Sequence, residues 1–574
     1  MSRAVSAGLI AWWVVGVGAL SFAQRQGERT AVPSVGHPQS PSVLYNFGSA
    51  ANDPLYPAYI GAVAQGRDGN LYTTAGSGGV DNGVCCGAVF KVTPAGSLET
   101  LYRFTGGSDG SAPQSGLTLG TDGTLYGTTL RGGASGFGTV FKITPQGVPT
   151  TLYSFTAGND GAYPTAGVVE GLNGSFYGTT TEGGLASCDD GDGCGTIYKI
   201  SSSGFSVVYQ FDFTHGTDPT GLILGSDGDF YGTTGAGGAN DLGTIFKMTS
   251  GGEITVLYNL EDNESVFAPL VEGSDGNFYG VTDTGGSHGH GAVFKMTPAG
   301  KFKILHSMSI TADGEEPIGL ARGNDGNFYG VNAYGGPTTE SCPSTCGTLF
   351  EITPTGAFTV LYYFDGTHGM APEVAPFEHT NGTLYADTEF GGTGSVSPCF
   401  ADNPCGVFYS WVSPTLQPFV GLLPYAGKVG KTIEFLGQDF VKGQTTVSFN
   451  GTTATADVVS GTYLTATVPS GATTGPVTVT SPTGELVSNQ SFRVTPQIIG
   501  FNPGSGPVGT PVTITGVSLT QTEKVTFGGV AAEFTVNSDT QVSTTVPSGA
   551  VTGTIKITTA GGSAVSSGVF TVTQ

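Results

Sequence analysis

The sequence is poor in charge, and poorest in positive charge. Charged residues make up 11% of the 574-residue chain, against about 25% in an average soluble domain. Lysine and arginine number 20 against 44 acids, a formal net charge of −24. So few cations cannot displace phosphate counterions, which excludes non-specific nucleic-acid binding. The same acidity argues against docking on an anionic membrane surface. Helical periodicity is missing, and past the N-terminus no apolar run approaches the roughly 20 residues that span a bilayer. Also missing are a G-x-S-x-G elbow, a phosphate-binding glycine loop and a His-Glu-x-x-His pair. No catalytic residue, metal site or cofactor is therefore assigned, and an enzyme is the less favoured reading.

What the chain does contain is glycine (96 residues) and aromatics, with 34 Phe and 22 Tyr. The aromatics suffice for real cores. Residues 1–23 read as a secretory signal peptide: Arg3, an apolar run from Leu9 to Leu20, and a small-residue exit at Ser21-Phe22-Ala23. No cysteine stands directly after the cleavage point, where Gln24 follows, which argues against a lipid anchor. Residues 24–42, with Pro33, Pro38 and Pro41, read as a flexible linker.

The eight cysteines fall in four local pairs: Cys85 and Cys86, Cys188 and Cys194, Cys342 and Cys346, Cys399 and Cys405. The second of each pair stands directly before a glycine that opens a strand. Zinc competes as a reading of Cys342-x3-Cys346, but no histidine repeats beside the pairs. Loop-stapling disulfides in an oxidising compartment are the expectation for the three spaced pairs. The adjacent Cys85 and Cys86 are left open.

A repeat of about fifty residues occurs seven times. An Asp-Gly or Asn-Gly turn leads into a strand of the type "LYGTT", whose tyrosines are Tyr72, Tyr126, Tyr177, Tyr231, Tyr279, Tyr329 and Tyr385. A second anchor of the type "GTVFKITP" follows each, and a third of the type "LYxF" recurs at Tyr45, Tyr102, Tyr153, Tyr209, Tyr258, His306 and Tyr362. The turn is expected to be a two-residue hairpin with positive φ at both positions. With a short apolar run before each turn, the unit offers four alternating strands, the pattern of a propeller blade. The phase adds a clue. An orphan "VLYNF" stands at 43–47, while the last set, ending near Trp411, has no "LYxF" of its own. The N-terminal strand should therefore complete the last blade and close the ring, leaving no open edge.

The ordered motifs "GLxLGxDGxLYGTT", "GTVFKITPxG" and "LYxF" resemble the GloVer tandem repeat of secreted bacterial proteins with interchangeable anchors, and are similar to NHL-type propeller repeats. The resemblance spans about residues 43–413 and implies export and a propeller, with no activity to carry over. From about Pro414 the composition turns to Thr, Val and Ser, and a period of 78–79 residues takes over. "PYAGKVGKTIEFLGQDF" from Pro424 matches "PGSGPVGTPVTITGVSL" from Pro503. These units resemble IPT/TIG domains. The expectation is thus an all-β chain: a seven-bladed β-propeller over 43–413, then Ig-like β-sandwiches of the IPT/TIG type over 414–494 and 495–574.

Residues that break the repeat mark candidate sites. The end of the innermost strand reads Gln65, Leu119, Glu170, Leu224, Glu272, Arg322 and Glu378 around the ring. Gln65, Glu170, Glu272, Arg322 and Glu378 are candidate ligand-binding residues at the channel mouth; the competing reading is solvated strand ends. His288 with His290, the acids Asp189, Asp190 and Asp192, and His379 beside Glu378 are weaker candidates. The function expected is a secreted or cell-surface, non-catalytic binding or scaffold protein. Its ligand would be extracellular, a polysaccharide or a protein, and its Ig-like domains would serve as spacers or adhesive modules. The alternative is an extracellular carbohydrate-active enzyme using carboxylates on the propeller axis.

Overall fold

The computed structural model describes residues 40–50, 53–57, 63–80, 85–188, 191–261, 264–338, 342, 346–394 and 405–574. The signal peptide and most of the linker expected from the sequence lie outside these. Among the described residues there is no α-helix, and strands make up the architecture throughout. Seven sheets carry the repeat, each with four strands, one with a fifth, and together they form a β-propeller. A typical blade runs Val271–Glu272, Phe278–Thr282, Ala292–Met296 and Phe302–Ser307, all antiparallel.

The repeated residues each have a job that explains their recurrence. The tyrosine hydroxyl donates to the turn aspartate four residues back: Tyr72 to Asp68 at 2.8 Å, Tyr231 to Asp227 at 2.8 Å, Tyr329 to Asp325 at 2.8 Å. Where the turn carries asparagine, Asn173 and Asn381 donate to Tyr177 and Tyr385 instead. The glycine after the tyrosine has no room for a Cβ, because at Gly280 and Gly330 the rims of Phe294 and Phe350 occupy that space. The tyrosine ring also packs on the Phe that begins the second strand of the next blade, as in Tyr126–Phe176 (3.8 Å) and Tyr279–Phe328 (4.1 Å).

One expectation is corrected. Only the glycine of each Asp-Gly turn takes positive φ, for example +75° at Gly69 and +69° at Gly276. The loop holds three residues, Arg67, Asp68 and Gly69, one more than a two-residue hairpin: Gly66 N–H donates to Asn70 O and Gly69 N–H to Gly66 O. The aspartate stays right-handed because its carboxylate must also accept the N–H two residues on, as Asp68 does from Asn70 at 3.1 Å.

Ring closure follows the phase of the repeat. Strand β1 (Ser42–Asn46) pairs antiparallel with β4 (Val407–Val412), which pairs with β3 (Thr383–Asp387) and through it β2 (Phe377–Glu378). Tyr385 and Phe408 of this last blade share a core with Leu71 and Phe90 of the first. Disulfides join Cys188 to Cys194 and Cys342 to Cys346, with Cα atoms 5.5 and 6.0 Å apart, which removes the zinc reading. Cys86 and Cys405 are disulfide-bonded too, but Cys399 and the Cys85 side chain fall outside the description.

Two β-sandwiches follow, each with its own core, one centred on Phe435, Phe449 and Phe492 and the other on Ile514, Phe527 and Phe570. In the first, the short strands β5 (Ala426–Gly427) and β6 (Arg493–Val494) pair in parallel.

Candidate functional site

The first sandwich sits on the mouth of the propeller. Arg67, just before an Asp-Gly turn, forms a two-pronged ion pair with Glu434, Nη2–Oε1 2.6 Å and Nε–Oε2 2.9 Å. Its guanidinium lies 4.8 Å from the centre of the Tyr463 ring. Thr462 donates to Arg67 O at 2.8 Å, Tyr425 to Leu224 O at 3.1 Å, and Arg322 Nη2 to Asn489 O at 2.8 Å. The contact is spread over several blades and combines these polar bonds with an apolar patch, where Leu423 and Leu436 pack on the blade core around Ala64, Tyr72 and Leu119.

The five candidate residues do not converge as a free ring. Most of them tie neighbouring blades together. Gln65 exchanges two hydrogen bonds with Thr380, Nε2 to Oγ1 at 2.8 Å and Thr380 N–H to Oε1 at 3.0 Å. Glu170 accepts from the N–H and hydroxyl of Thr121 at 2.9 and 2.6 Å. Glu272 accepts from the N–H of Ser226 at 2.7 Å and from its hydroxyl. Each partner stands just before the Asp-Gly or Asn-Gly turn of the preceding blade, so the solvated-strand-end reading does not hold for these three. Glu378 is 8% exposed and lies near the Asn324 N–H without closing a hydrogen bond. Burial, aided by the Asp325 charge, pushes it up to about 8, so it is neutral at neutral pH.

Two of the weaker candidates, His379 and His290, make side-chain contacts within the protein. His379 Nε2–H donates to Gly69 O at 3.0 Å and Nδ1 accepts the Asn381 N–H. Burial holds it below the usual histidine range, so it is a neutral cross-blade strut rather than an acid–base partner of Glu378. His290 faces Glu315 at 3.1 Å. Asp189 and Asp190 lie outside the described residues.

What the mouth and the sandwich do make together is a cleft of about 540 Å³, within the usual range of about 300–1,000 Å³ for ligand sites. Glu272 and Arg322 line one side, and Tyr425, Asn489, Gln490 and Arg493 the other. Burial depresses the basicity of both arginines and lifts Glu272, opposed at Glu272 by the Ser226 donors. Two of the five sequence candidates therefore reach this cleft, while Gln65 and Glu170 are absent from its walls.

The sandwich residues were missed, although a signal existed. At the docking positions the first sandwich has Tyr425, Glu434, Tyr463 and Arg493 where the second has Gly504, Thr513, Gln541 and Thr571. Departures between two copies mark what only one copy does.

A profile of the Gloeobacter/Verrucomicrobia repeat matches residues 33–189 and 186–400, and a profile of the IPT/TIG domain matches 419–494 and 496–572. No curated protein matches the chain. Among solved structures, a fungal alcohol oxidase of the AA5 family in complex with copper is 15% identical, over 77% of this chain and 98% of its own, with a TM-score of 0.41. A surface glycan-binding protein from a xyloglucan utilization locus in Bacteroides uniformis is 22% identical, over 26% and 48%, TM-score 0.14. One from Prevotella bryantii is 16% identical, over 25% and 38%, TM-score 0.21. Such distant likenesses decide nothing about function.

Proposed function

As the chain belongs to the Gloeobacter/Verrucomicrobia repeat family through residues 33–400 and carries two IPT/TIG domains, we propose that it is a secreted or cell-surface, non-catalytic binding protein. Its ligand site is the cleft between the propeller mouth and the first IPT/TIG domain. The observation that carries this reading is that side chains of both domains line one cleft whose two arginines keep buried N–H groups unpaired. A domain used only as a spacer has no need of such a joint. The first IPT/TIG domain is a wall of the site. The disulfides Cys188–Cys194 and Cys342–Cys346 and the signal peptide expected at residues 1–23 fit an oxidising compartment outside the cytosol.

A carbohydrate-active enzyme is the second reading, and Glu378 is what favours it: a carboxyl neutral at pH 7 can act as a general acid. Against it, Glu170 and Glu272 are engaged with Thr121 and Ser226, and a glycosidase needs a second carboxylate standing about 5–10 Å away across the bond. A glycan array probed with the mature protein and with Ser491→Trp, which fills the cleft, separates the readings. Retention of a defined glycan set, lost in the variant and without cleavage products, supports binding. Product formation that Glu378→Gln abolishes would install the enzyme instead.

A further inference from the structure

The cleft has the opposite charge from the chain around it. With 20 cationic residues against 44 acidic ones, two arginines nonetheless line this single cavity. Arg493, on β6, is 8% exposed, and its Nε and Nη2 have no hydrogen-bond partner. Its guanidinium lies 5.6 Å from the centre of the Tyr425 ring. Arg322 commits Nη2 to Asn489 O, and its Nε is likewise unpartnered.

The acids near them do not supply what is missing. Glu272 is held by the N–H and hydroxyl of Ser226. Asp227 is paired with Lys247 and Asp275 with Lys295, each at 2.7 Å. Glu378, the remaining acid near Arg322, makes no hydrogen bond to it, and burial favours its neutral form. Two guanidinium groups thus face one engaged carboxylate. Buried charged donors left without acceptors are costly, and a planar or tetrahedral oxyanion matches the guanidinium fork. The remaining walls add the amides of Asn489 and Gln490 and the Tyr425 ring, which suit a hydroxyl-bearing ring.

We infer that the cleft binds an acidic sugar, its carboxylate or sulfate group held by Arg493 with Arg322 beside it and its ring against Tyr425. This rests on the binding reading above and adds the class of ligand. Calorimetric titration of the full mature chain with a galacturonic acid trisaccharide, a sulfated galactose trisaccharide and a neutral galactose trisaccharide tests it. At least one acidic probe is expected to bind on the order of tenfold more tightly than the neutral one, with affinity falling as salt rises. Arg493→Met should remove that preference and Arg493→Lys should keep part of it. Should Arg493→Met fail to fold, as judged by melting temperature, Ser491→Trp blocks the same cleft and should abolish acidic binding. Equal affinity for neutral and acidic probes, or no acidic binding at all, overturns the inference, while neutral binding lost in Ser491→Trp leaves the binding reading standing. Acidic binding that survives both variants overturns the two together.

Discussion

Glu170 and Thr121 belong to different blades, and the bond between them repeats in kind around the ring. Glu272 meets Ser226 and Gln65 meets Thr380 in the same relation. Where the strand ends in Leu224, the corresponding turn position is Leu172. A carboxylate accepting two donors across a blade boundary contributes roughly 1–3 kcal/mol. Glu170→Ala is therefore expected to lower the melting temperature by several degrees, and a double-mutant cycle with Thr121→Ala should show coupling; additive losses would mean that the bond carries no energy. Glu378 behaves differently, having no such partner. Its folded-state value of about 8 lies above the ordinary 4.5, so the folded chain binds the proton more tightly than the unfolded chain does. Stability from this group is full below about pH 4.5, declines between 4.5 and 8, and stays reduced above. Glu378→Gln should gain on the parent protein as pH rises from 5 to 8.5, by up to a few kcal/mol, measured by denaturant unfolding at each pH. A constant difference across that range would show that the carboxyl is not held neutral. These residues stood out in the sequence as breaks in the repeat, but their partners did not. The pairing joins positions 49 and 46 residues apart in two cases and 315 apart in the third, and only the ring brings them together.

Strand β1 shows what the repeat phase can and cannot reveal. Counting anchors placed it in the last blade, because a missing "LYxF" at one end matched a surplus at the other. The strand lies there, with Ser42 opposite Ser410 and Asn46 opposite Val407. Just past it, Phe47 is fully buried, its ring 5.7 Å from Tyr45 and 5.6 Å from Phe90 of the neighbouring blade. Phe47→Ala should cost about 3–5 kcal/mol. An N-terminal truncation that removes 42–47 should melt well below one that stops at 41; equal melting temperatures would contradict a closing role. The turns were less legible than the strands. Asp-Gly signals a hairpin, but how wide it is depends on what the aspartate must reach, here a tyrosine hydroxyl and a backbone N–H together.

At the scale of the whole molecule, the composition break near Pro414 separated ring from sandwiches without hinting that they touch. The joint rests on side chains that a family pattern averages away, Arg67 against Glu434 above all. Glu434 is 12% exposed at its side chain and Arg67 30%; such a half-buried, two-pronged pair is sensitive to loss of one partner. Glu434→Ala should loosen the joint, raising the radius of gyration in solution scattering and separating the thermal transitions of ring and sandwiches. An unchanged scattering profile would mean that other contacts suffice. The closing strand bears on how such a molecule comes to exist. A chain made or exported N-terminus first delivers β1 at the outset and β4 only after six further blades' worth of sequence. Until then the first strand has no partner on its inner side and the last blade has no seam. The sandwich that covers the mouth is later still. Delivery of the segments thus follows the covalent sequence: blades first, seam next, cover last, so that the walls of the cleft are complete only once the sandwiches have been made, and an interrupted chain lacks part of them.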